Sequence, residues 1–186
     1  GVEPEAGVNA VVEAAHQVLR LLELEDREAG TTVGPNVLNG GNASNVVPDR
    51  ARLLIDVRAW TAAEQQRLDR GIAGLEPTME GITFQLDGGW NRPPMEPCPT
   101  SMAIFKRARD IGTNLGLDLE WVRWGGSSDA NLIADAGTPT VDGLGPVGSG
   151  SHQTTESIVV DAIPARMALF AELVSSLATP IGPPQR

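Results

Sequence analysis

The chain has 186 residues and a formal net charge of −10, because 24 acidic residues outnumber 14 basic ones. This length is enough to bury a sizeable core in one ordinary domain or in two small ones. An acidic chain without a basic cluster lacks the electrostatic footprint that a phosphate backbone requires, so nucleic acid is excluded as a partner. The single lysine, Lys106, is not part of a Gly-Lys-Ser/Thr sequence, which excludes a P-loop.

Cysteine content and hydropathy exclude further classes of protein. Cys98 is the only cysteine, so neither a disulfide framework nor a cysteine zinc cluster can form within the chain. No apolar run approaches the roughly 20 residues that a membrane span needs, so no membrane partner is expected. The opening residues Gly1–Glu5 include no initiating methionine and do not resemble a signal peptide, so we expect a piece of a longer protein. The compartment stays open.

The first half is predicted to contain a helix, two strands, a helix and a third strand. Apolar residues recur at spacings of three and four over residues 8–22 and again over 62–75, which predicts two amphipathic helices. Strands are predicted over 31–38, 50–59 and 82–86. This order is that of a split β-α-β sandwich without its first strand, which would lie just before Gly1. The polar face of the first helix is predicted to carry Glu13, Gln17 and Arg20.

After a seam at residues 88–94, helices alternate with strands that end in glycine-rich loops. Such alternation predicts a parallel, doubly wound sheet. We therefore expect two domains, residues 1–88 and residues 89–186. The predicted helices cover about 101–115 (capped by Thr100 or Ser101), a short stretch after Asp129, and 161–177; the predicted strands cover 119–122 and 138–141.

His152 is the more informative of the two histidines. It follows the glycine-rich stretch at the end of a predicted strand, and Glu156 comes four residues later. Loops at the carboxyl ends of parallel strands are where α/β sheets bind ligands, and an imidazole oriented by a carboxylate suits a zinc ligand. A surface histidine without a role stays open as well, because one histidine cannot make a metal site. His16 is interpreted as a half-exposed helical residue.

Asn45 and Arg58 form a second pair of candidates. Alternation puts Arg58 opposite the core-facing Leu53, Ile55 and Val57 of its strand. An arginine held on a strand makes a good bidentate clamp for a carboxylate, and an asparagine amide can donate to a developing oxyanion. On these residues alone, a loop-turning asparagine and a surface arginine remain an alternative. A Ser-His-Asp hydrolase is disfavoured, since no Gly-x-Ser-x-Gly occurs.

Four motifs in one order resemble a single family. Gly41–Pro48, followed by Ile55–Arg58, resembles the lid-domain signature of the glutamate carboxypeptidase and acetylornithine deacetylase superfamily, which are co-catalytic zinc carboxypeptidases and aminoacylases. Gly1–Ala10 resembles the segment that opens the first lid helix. Gly125–Ala130 resembles the family's Gly-Gly-x-Ser/Thr-Asp-Ala loop, and Gly150–Glu156 resembles its C-terminal metal-ligand motif.

The resemblance implies a ferredoxin-like α/β sandwich lid lacking its first strand, followed by the C-terminal part of a zinc-exopeptidase-type doubly wound α/β domain. It implies hydrolysis of an amide bond next to a free carboxylate in a small peptide or N-acyl amino acid. It also implies two zinc ions in the complete enzyme and a homodimer formed through the lid. The implied site residues are His152 as a zinc ligand, Arg58 as the carboxylate clamp, Asn45 for substrate orientation or the oxyanion, and Gly125, Gly126, Ser127 and Ser128 along the substrate pocket.

By the same resemblance, the remaining metal ligands and the general-base glutamate belong to an N-terminal catalytic segment that these residues do not contain. This chain alone is therefore expected to retain no zinc and to hydrolyse nothing. Two alternatives stay open: a non-catalytic fragment that acts only as a dimerisation module, and a parent enzyme that is an N-acyl amino acid deacetylase. A self-contained hydrolase is disfavoured because no complete nucleophile and base set is present.

Overall fold

A computed structural model describes residues 3–178. The chain forms two compact units, one of Gly1–Glu96 with Gly125–Ser127 and one of Pro97–Trp124 with Ser128–Arg186. The domain boundary predicted at residues 88 and 89 lies shortly before this division and remains a prediction. None of the helices in the described part of the chain is both long and apolar enough to cross a bilayer.

From residue 3 onward, the first unit contains two helices and a two-stranded antiparallel sheet. A 3-10 turn at Pro4–Ala6 precedes α1 (Ala10–Leu22), β1 (Thr32–Gly40), β2 (Ala51–Arg58) and α2 (Ala62–Ala73). Each helix begins at a side-chain cap: Asn9 Oδ1 accepts hydrogen bonds from backbone N–H groups of the first turn of α1, and Thr61 Oγ1 accepts one from Glu64 N in α2.

A bulge at Asn36 interrupts the pairing of the two strands. Before it, Pro35 lies opposite Ile55, and after it, Leu38 lies opposite Leu53. Residues directly opposite each other share a face of the sheet, so the extra residue reverses the alternation of β1. Odd-numbered residues of β1 face the helices before the bulge, and even-numbered residues face them after it.

The core of the first unit forms where both helices pack on one face of the sheet. Leu21 of α1, Val33 of β1 and Leu68 of α2 are buried together. The residues that pack against them from β2 and its end are Leu53, Ile55, Val57 and Ala59. This is the face that the alternation predicted, so the predicted inward and outward sides of this strand are confirmed.

The α1 helix is rotated relative to the prediction. Glu13 and Gln17, which were predicted to face solvent, are buried, because the Glu13 carboxylate accepts hydrogen bonds from the backbone N–H groups of Thr78 and Met79 and from Gln17 Nε2. Buried polar groups are tolerated when they are hydrogen-bonded in this way. The prediction of a polar outer face was therefore wrong. The apolar residues exposed instead are Val12, Leu19 and Leu22.

Glu13 is also the carboxylate whose acidity is most changed. Its side chain is only 3% exposed, and burial by itself raises the pKa of a carboxyl group. Hydrogen bonds from Gln17, from the N–H and hydroxyl of Thr78 and from the N–H of Met79 outweigh that effect and lower the pKa of Glu13 to about 2. The charged carboxylate of Glu13 therefore holds the turn at residues 76–79 against α1 through these hydrogen bonds.

Gly30 lies where the chain turns into β1. Its φ is +80°, a left-handed conformation that glycine adopts without strain. A Cβ at this position would overlap the ring of Trp60. Two independent features, backbone conformation and close approach, therefore require glycine here.

The third strand predicted in this half is absent. Residues 82–86 are not part of a strand, and Phe84 and Leu86 are exposed. In a split β-α-β sandwich, the last strand pairs with the first, whose predicted position lies before Gly1. Without that neighbour among residues 3–178, the segment has no ladder of hydrogen bonds to join.

Up to residue 178, the second unit contains three helices and one very short hairpin. They are α3 (Pro99–Asn114), α4 (Asp129–Asp135), β3 (Gly148–Ser149), β4 (Ser157–Ile158) and α5 (Ile163–Leu177), which follows a 3-10 turn at Val160–Ala162. The α3 helix packs against α5, and Ala108, Leu169 and Leu173 are buried on these helices.

The start of α3 lies slightly before the predicted position. Its cap is Cys98 and not Thr100 or Ser101, because the Cys98 sulfur accepts a hydrogen bond from Ser101 N and Pro99 occupies the first helical turn. Hydrogen bonds that Cys98 shares with the hydroxyls of Ser101 and Thr100 lower the pKa of its thiol to about 7.

The parallel strands predicted at 119–122 and 138–141 are not formed within residues 3–178. The β-structure of this unit is the antiparallel pair β3–β4. Parallel strands are stable when neighbouring strands flank them and helices cover both faces of the sheet. The resemblance assigns the other strands of that sheet to a segment outside these residues, which explains why an apolar strand pattern does not produce a ladder here.

Candidate functional site

Arg58 ends β2 on the solvent side of the sheet, with half of its side chain exposed. Its Nε donates to Asp56 Oδ1 at 2.7 Å, its Nη2 reaches Asp56 Oδ2 at 3.4 Å, and its Nη1 donates to the Gly125 carbonyl at 2.7 Å. A guanidinium carries five N–H donors, so two remain after these three bonds. The ion pair with Asp56 raises the pKa of Arg58 further, and the group stays charged.

The contact between Arg58 and Gly125 joins two of the sequence motifs. The two residues are 67 positions apart, and the segment Gly125–Ser127 belongs to the same compact unit as β2. The resemblance implied a substrate-binding role for both residues. The structure thus brings together the end of the lid strand and the start of the Gly-Gly loop.

Asp56 is the member of this cluster to which the sequence analysis assigned no role. Its distance of two residues from Arg58 was the available signal, because residues i and i+2 of a strand lie on the same face. The salt bridge between Asp56 Oδ1 and Arg58 Nε measures 2.7 Å. The guanidinium is therefore held in one orientation by Asp56.

Ser128 has a structural position at the start of α4. Its Oγ accepts a hydrogen bond from Ala130 N at 3.1 Å and donates to Asp142 Oδ2 at 2.6 Å, while its own N–H donates to Asn131 Oδ1 at 3.0 Å. This arrangement is a capping box. Gly126 and Ser127, which precede it, are exposed.

Asn45 lies in the exposed loop between β1 and β2. Within residues 3–178, no hydrogen bond links its side chain to Arg58. Asn45 is therefore an exposed residue that the structure does not join to Arg58 by a hydrogen bond.

His152 lies in the loop that joins β3 to β4. It has a φ of 65° and is the only non-glycine residue with positive φ in the described range. The loop is held by a hydrogen bond from Gln153 N to the Gly150 carbonyl at 2.9 Å and by one from Glu156 N to the Gln153 carbonyl at 3.1 Å. Left-handed backbone is strained for most side chains, and such strain clusters at functional sites.

The donor set around His152 does not make a metal site by itself. Residues 3–178 contain no group of three or more His, Cys, Asp or Glu side chains placed to hold a metal ion. The expected support of the His152 ring by the Glu156 carboxylate is also missing, since no hydrogen bond joins them in this part of the chain. Zinc sites use three or four protein ligands, so the residues fit one ligand position and not a complete centre.

Comparison with known sequences shows which proteins this chain is similar to. Residues 1–75 match the family model of the peptidase dimerisation domain. Carboxypeptidase G2 from Pseudomonas sp. (strain RS-16) is 30% identical over 191 residues, which cover 95% of this chain and 44% of that protein. Succinyl-diaminopimelate desuccinylase from Nitrosococcus oceani is 26% identical over 146 residues, which cover 77% of this chain and 38% of that protein. The chain spans less than half the length of these relatives.

Solved structures share the fold. A tripeptidase from Staphylococcus aureus subsp. aureus Mu50 superposes with a TM-score of 0.69 at 20% identity, covering 96% of this chain and 48% of that one. A dinuclear metal-binding peptidase of the M20 family from Bacillus subtilis superposes with a TM-score of 0.57 at 16% identity, covering 94% and 48%. These likenesses confirm the predicted α/β fold class, a lid followed by part of a catalytic domain. The sequence and fold comparisons agree with the motifs: residues 1–75 match the M20 peptidase dimerisation domain, and the chain as a whole is similar to peptidases of the M20 family.

Proposed function

We propose that this chain supplies the lid and the C-terminal catalytic residues of a metal-dependent hydrolase that cleaves an amide bond next to a free carboxylate. The observation that carries the proposal is the 2.7 Å hydrogen bond from Arg58 Nη1 to the Gly125 carbonyl. It unites a charged, half-exposed guanidinium with the glycine loop of a second motif. Relatives that are a carboxypeptidase and a desuccinylase support the same class of reaction.

In this proposal Arg58 binds the substrate carboxylate. Its two remaining N–H donors are available for a bidentate pair, a geometry that a guanidinium matches and an ammonium does not. Asp56 fixes the plane of the guanidinium through two contacts, at 2.7 and 3.4 Å. Pre-orientation of this kind lowers the entropy that substrate binding must overcome.

The other candidates take supporting roles. We assign Gly125, Gly126 and Ser127 to the wall of the substrate pocket, where small residues allow close approach of a ligand to the backbone. Because the Ser128 hydroxyl is engaged by Asp142 and Ala130, we assign Ser128 to holding this loop at the start of α4. Asn45 is assigned to substrate orientation or to the oxyanion, since its exposed amide carries two donors.

Zinc is the proposed metal and His152 its proposed ligand, supported by the strained φ of 65° at that residue. The described residues offer one ligand position only. We therefore propose that the other ligands come from the part of the M20 peptidases that this chain does not span, and that these 186 residues alone neither retain zinc nor hydrolyse a substrate.

We also propose that the complete protein is a homodimer formed through the lid. The support is the rotated α1 helix, which exposes Val12, Leu19 and Leu22, spaced by seven and three positions along one stripe, within the matched dimerisation domain. Exposed apolar stripes of this kind mark interaction surfaces. Leu19→Glu is expected to halve the mass measured by light scattering without loss of helix content, whereas the neighbouring Glu23→Gln leaves the mass unchanged. An unchanged mass in Leu19→Glu would place the dimer contact elsewhere.

The activity is tested on the full product of the reading frame that encodes these residues, supplied with zinc. The substrates are a dipeptide ending in glutamate, an N-acylglutamate, and the same two compounds with the α-carboxylate amidated. Hydrolysis of the free acids and at least a tenfold lower rate on the amides are expected. Preference for the dipeptide indicates a carboxypeptidase, and preference for the N-acyl compound indicates a deacylase. A dimeric protein that hydrolyses none of the four would support the dimerisation module instead.

A further inference from the structure

The outer face of the β1–β2 sheet, which points away from α1 and α2, contains an apolar pair next to Arg58. Val37 of β1 lies directly opposite Leu54 of β2, and strand alternation puts both on the same face as Arg58. These two residues are 41% and 44% exposed. An apolar lining combined with a few polar groups is typical of sites for small ligands.

Three levels of cross-strand pairs follow one another along this outer face. They are, in order, Thr32 with Arg58, Gly34 with Asp56, and Val37 with Leu54. Gly34 has no side chain, and the amide of the bulge residue Asn36 lies where a Cβ of Gly34 would stand. The face is therefore polar at the levels of Arg58 and Asp56 and apolar at the level of Leu54.

The spacing of these levels matches the size of one amino acid. A strand rises about 3.3–3.4 Å per residue, so neighbouring levels, which are two residues apart, are separated by about 7 Å. The bonds from Arg58 Nε and Nη2 hold the guanidinium beside the Asp56 carboxylate. A carboxylate bound to that guanidinium thus lies about one level from Leu54, and a leucine or phenylalanine side chain on the same amino acid reaches the apolar pair.

Charge disfavours an acidic side chain at the apolar pair. Asp56 lies between Arg58 and Leu54 on the same face. A second substrate carboxylate directed along this face would meet a like charge and then lose water against apolar groups, and both effects are unfavourable. Arg52, which follows Leu54 on this face, is a cation that could offset them, and a preference for glutamate would identify it as the partner.

We propose that Val37 and Leu54 bind the side chain of the amino acid whose free carboxylate is held by Arg58, and that this side chain is large and apolar. The proposal rests on the proposed function and narrows its substrates to peptides or N-acyl amino acids that end in leucine, phenylalanine or a similar residue. A second copy of the chain is disfavoured as the occupant, because the stripe proposed for the dimer belongs to α1, on the other side of the sheet.

The preference is measured on the full product of the reading frame, supplied with zinc. The substrate pairs are alanylleucine with alanylglutamate, and N-acetylleucine with N-acetylglutamate. Within the pair that the enzyme accepts, kcat/KM should be at least about tenfold higher for the leucine compound, which is the discrimination that apolar contacts provide. An equal or higher kcat/KM for the glutamate compound would overturn the proposal.

Two truncations of leucine form a matched pair of variants. Leu54 and Leu38 are 44% and 41% exposed and lie on opposite faces of the sheet. Leu54→Ala should lower the ratio of the two kcat/KM values at least about fivefold, whereas Leu38→Ala should change it less than about twofold. Because the ratio is measured within one variant, a loss of folded enzyme cancels. Equal changes of the ratio in the two variants would contradict the role of Leu54.

Binding of free amino acids separates this surface from the activity, since leucine and glutamate carry the carboxylate but no amide bond to hydrolyse. In methyl NMR spectra of the full product, leucine should shift the resonances of Val37 and Leu54 but not those of Leu38, with a dissociation constant at least about tenfold lower than that of glutamate. This response in a protein that hydrolyses nothing retains the surface and rejects the proposed function. Hydrolysis without the response rejects the surface alone, and the absence of both rejects both.

Discussion

Replacing Glu13 with glutamine is expected to loosen the turn at residues 76–79. The carboxylate accepts bonds from Thr78 N at 3.0 and 3.1 Å, from Thr78 Oγ1 at 2.8 Å and from Met79 N at 3.0 Å. Glutamine has the same shape but directs an NH₂ group at some of these donors. The result is at least one buried N–H without an acceptor.

The size of the effect follows from the acidity of the group. A pKa of about 2 in the folded chain, against an ordinary value of 4.5, corresponds to about 3 kcal/mol of stabilisation at neutral pH. Because the folded pKa lies below the unfolded one, this stabilisation is complete above the unfolded pKa and is lost as the pH falls through the folded pKa. At pH 3, a little less than half of this stabilisation remains.

Hydrogen exchange of the Thr78 and Met79 amides measures this locally. At pH 7, Glu13→Gln should lower their protection factors by about two powers of ten, and at pH 3 by about one, at 1.4 kcal/mol per power of ten. Glu80→Gln, an exposed change beside the same turn, serves as the control and should leave both amides unchanged. Equal protection of these amides in wild type and Glu13→Gln at pH 7 would refute the proposed role of Glu13 in holding the turn. A difference in protection that does not depend on pH would refute it as well.

Three further outcomes are expected. Arg58→Lys in the complete enzyme should lower kcat/KM at least about tenfold on substrates with a free carboxylate, because each charge-assisted bond contributes about 1.5–3 kcal/mol. The loss should be smaller on the amides of these substrates. Equal losses on both kinds of substrate would show that Arg58 has a structural role. Gly30→Ala should lower the free energy of unfolding by about 2 kcal/mol or more, because a left-handed φ of +80° is combined with overlap on the Trp60 ring. Gly116→Ala, with a φ of +73° and nothing near its Cβ, should cost about 1 kcal/mol in chemical denaturation; equal costs would mean that the ring moves aside freely. Dialysis followed by elemental analysis of the 186-residue chain should find far less than one zinc per chain, and a retained equivalent would mean that His152 has partners other than those proposed.

Sequence periodicity predicted the elements whose stability depends on local pattern and neighbouring contacts. The alternation of β2 placed Ile55 inside and Arg58 outside, and both positions agree with the structure. The same reasoning failed for α1, because periodicity treats every charge as exposed. Periodicity contains no information about distant partners, and Glu13 accepts five hydrogen bonds from groups 4 to 66 residues away.

The strands at 82–86, 119–122 and 138–141 show a second limit. Their sequences have strand character, but a strand exists only with a partner, and no partner for them lies within residues 3–178.

The candidate site shows a third limit of prediction from sequence. Arg58 and Gly125 were each singled out by motif, yet their hydrogen bond spans 67 positions and could not be derived from spacing. Strand periodicity could have identified Asp56, because residues i and i+2 of a strand lie on the same face.

The bulge in β1 also determines how this strand tolerates a change of length. Asn36 is the extra residue between Pro35 and Val37, and the partners on either side of it stay in register with β2. Deleting Asn36 would therefore keep the same residues facing the helices, whereas deleting a residue elsewhere in β1 would turn part of the strand inside out. The shortened strand would, however, have a straight edge with evenly spaced N–H and C=O groups, which is the form that recruits strands from other molecules. The additional residue therefore interrupts the regular edge of β1 and lowers its tendency to pair with strands of other molecules.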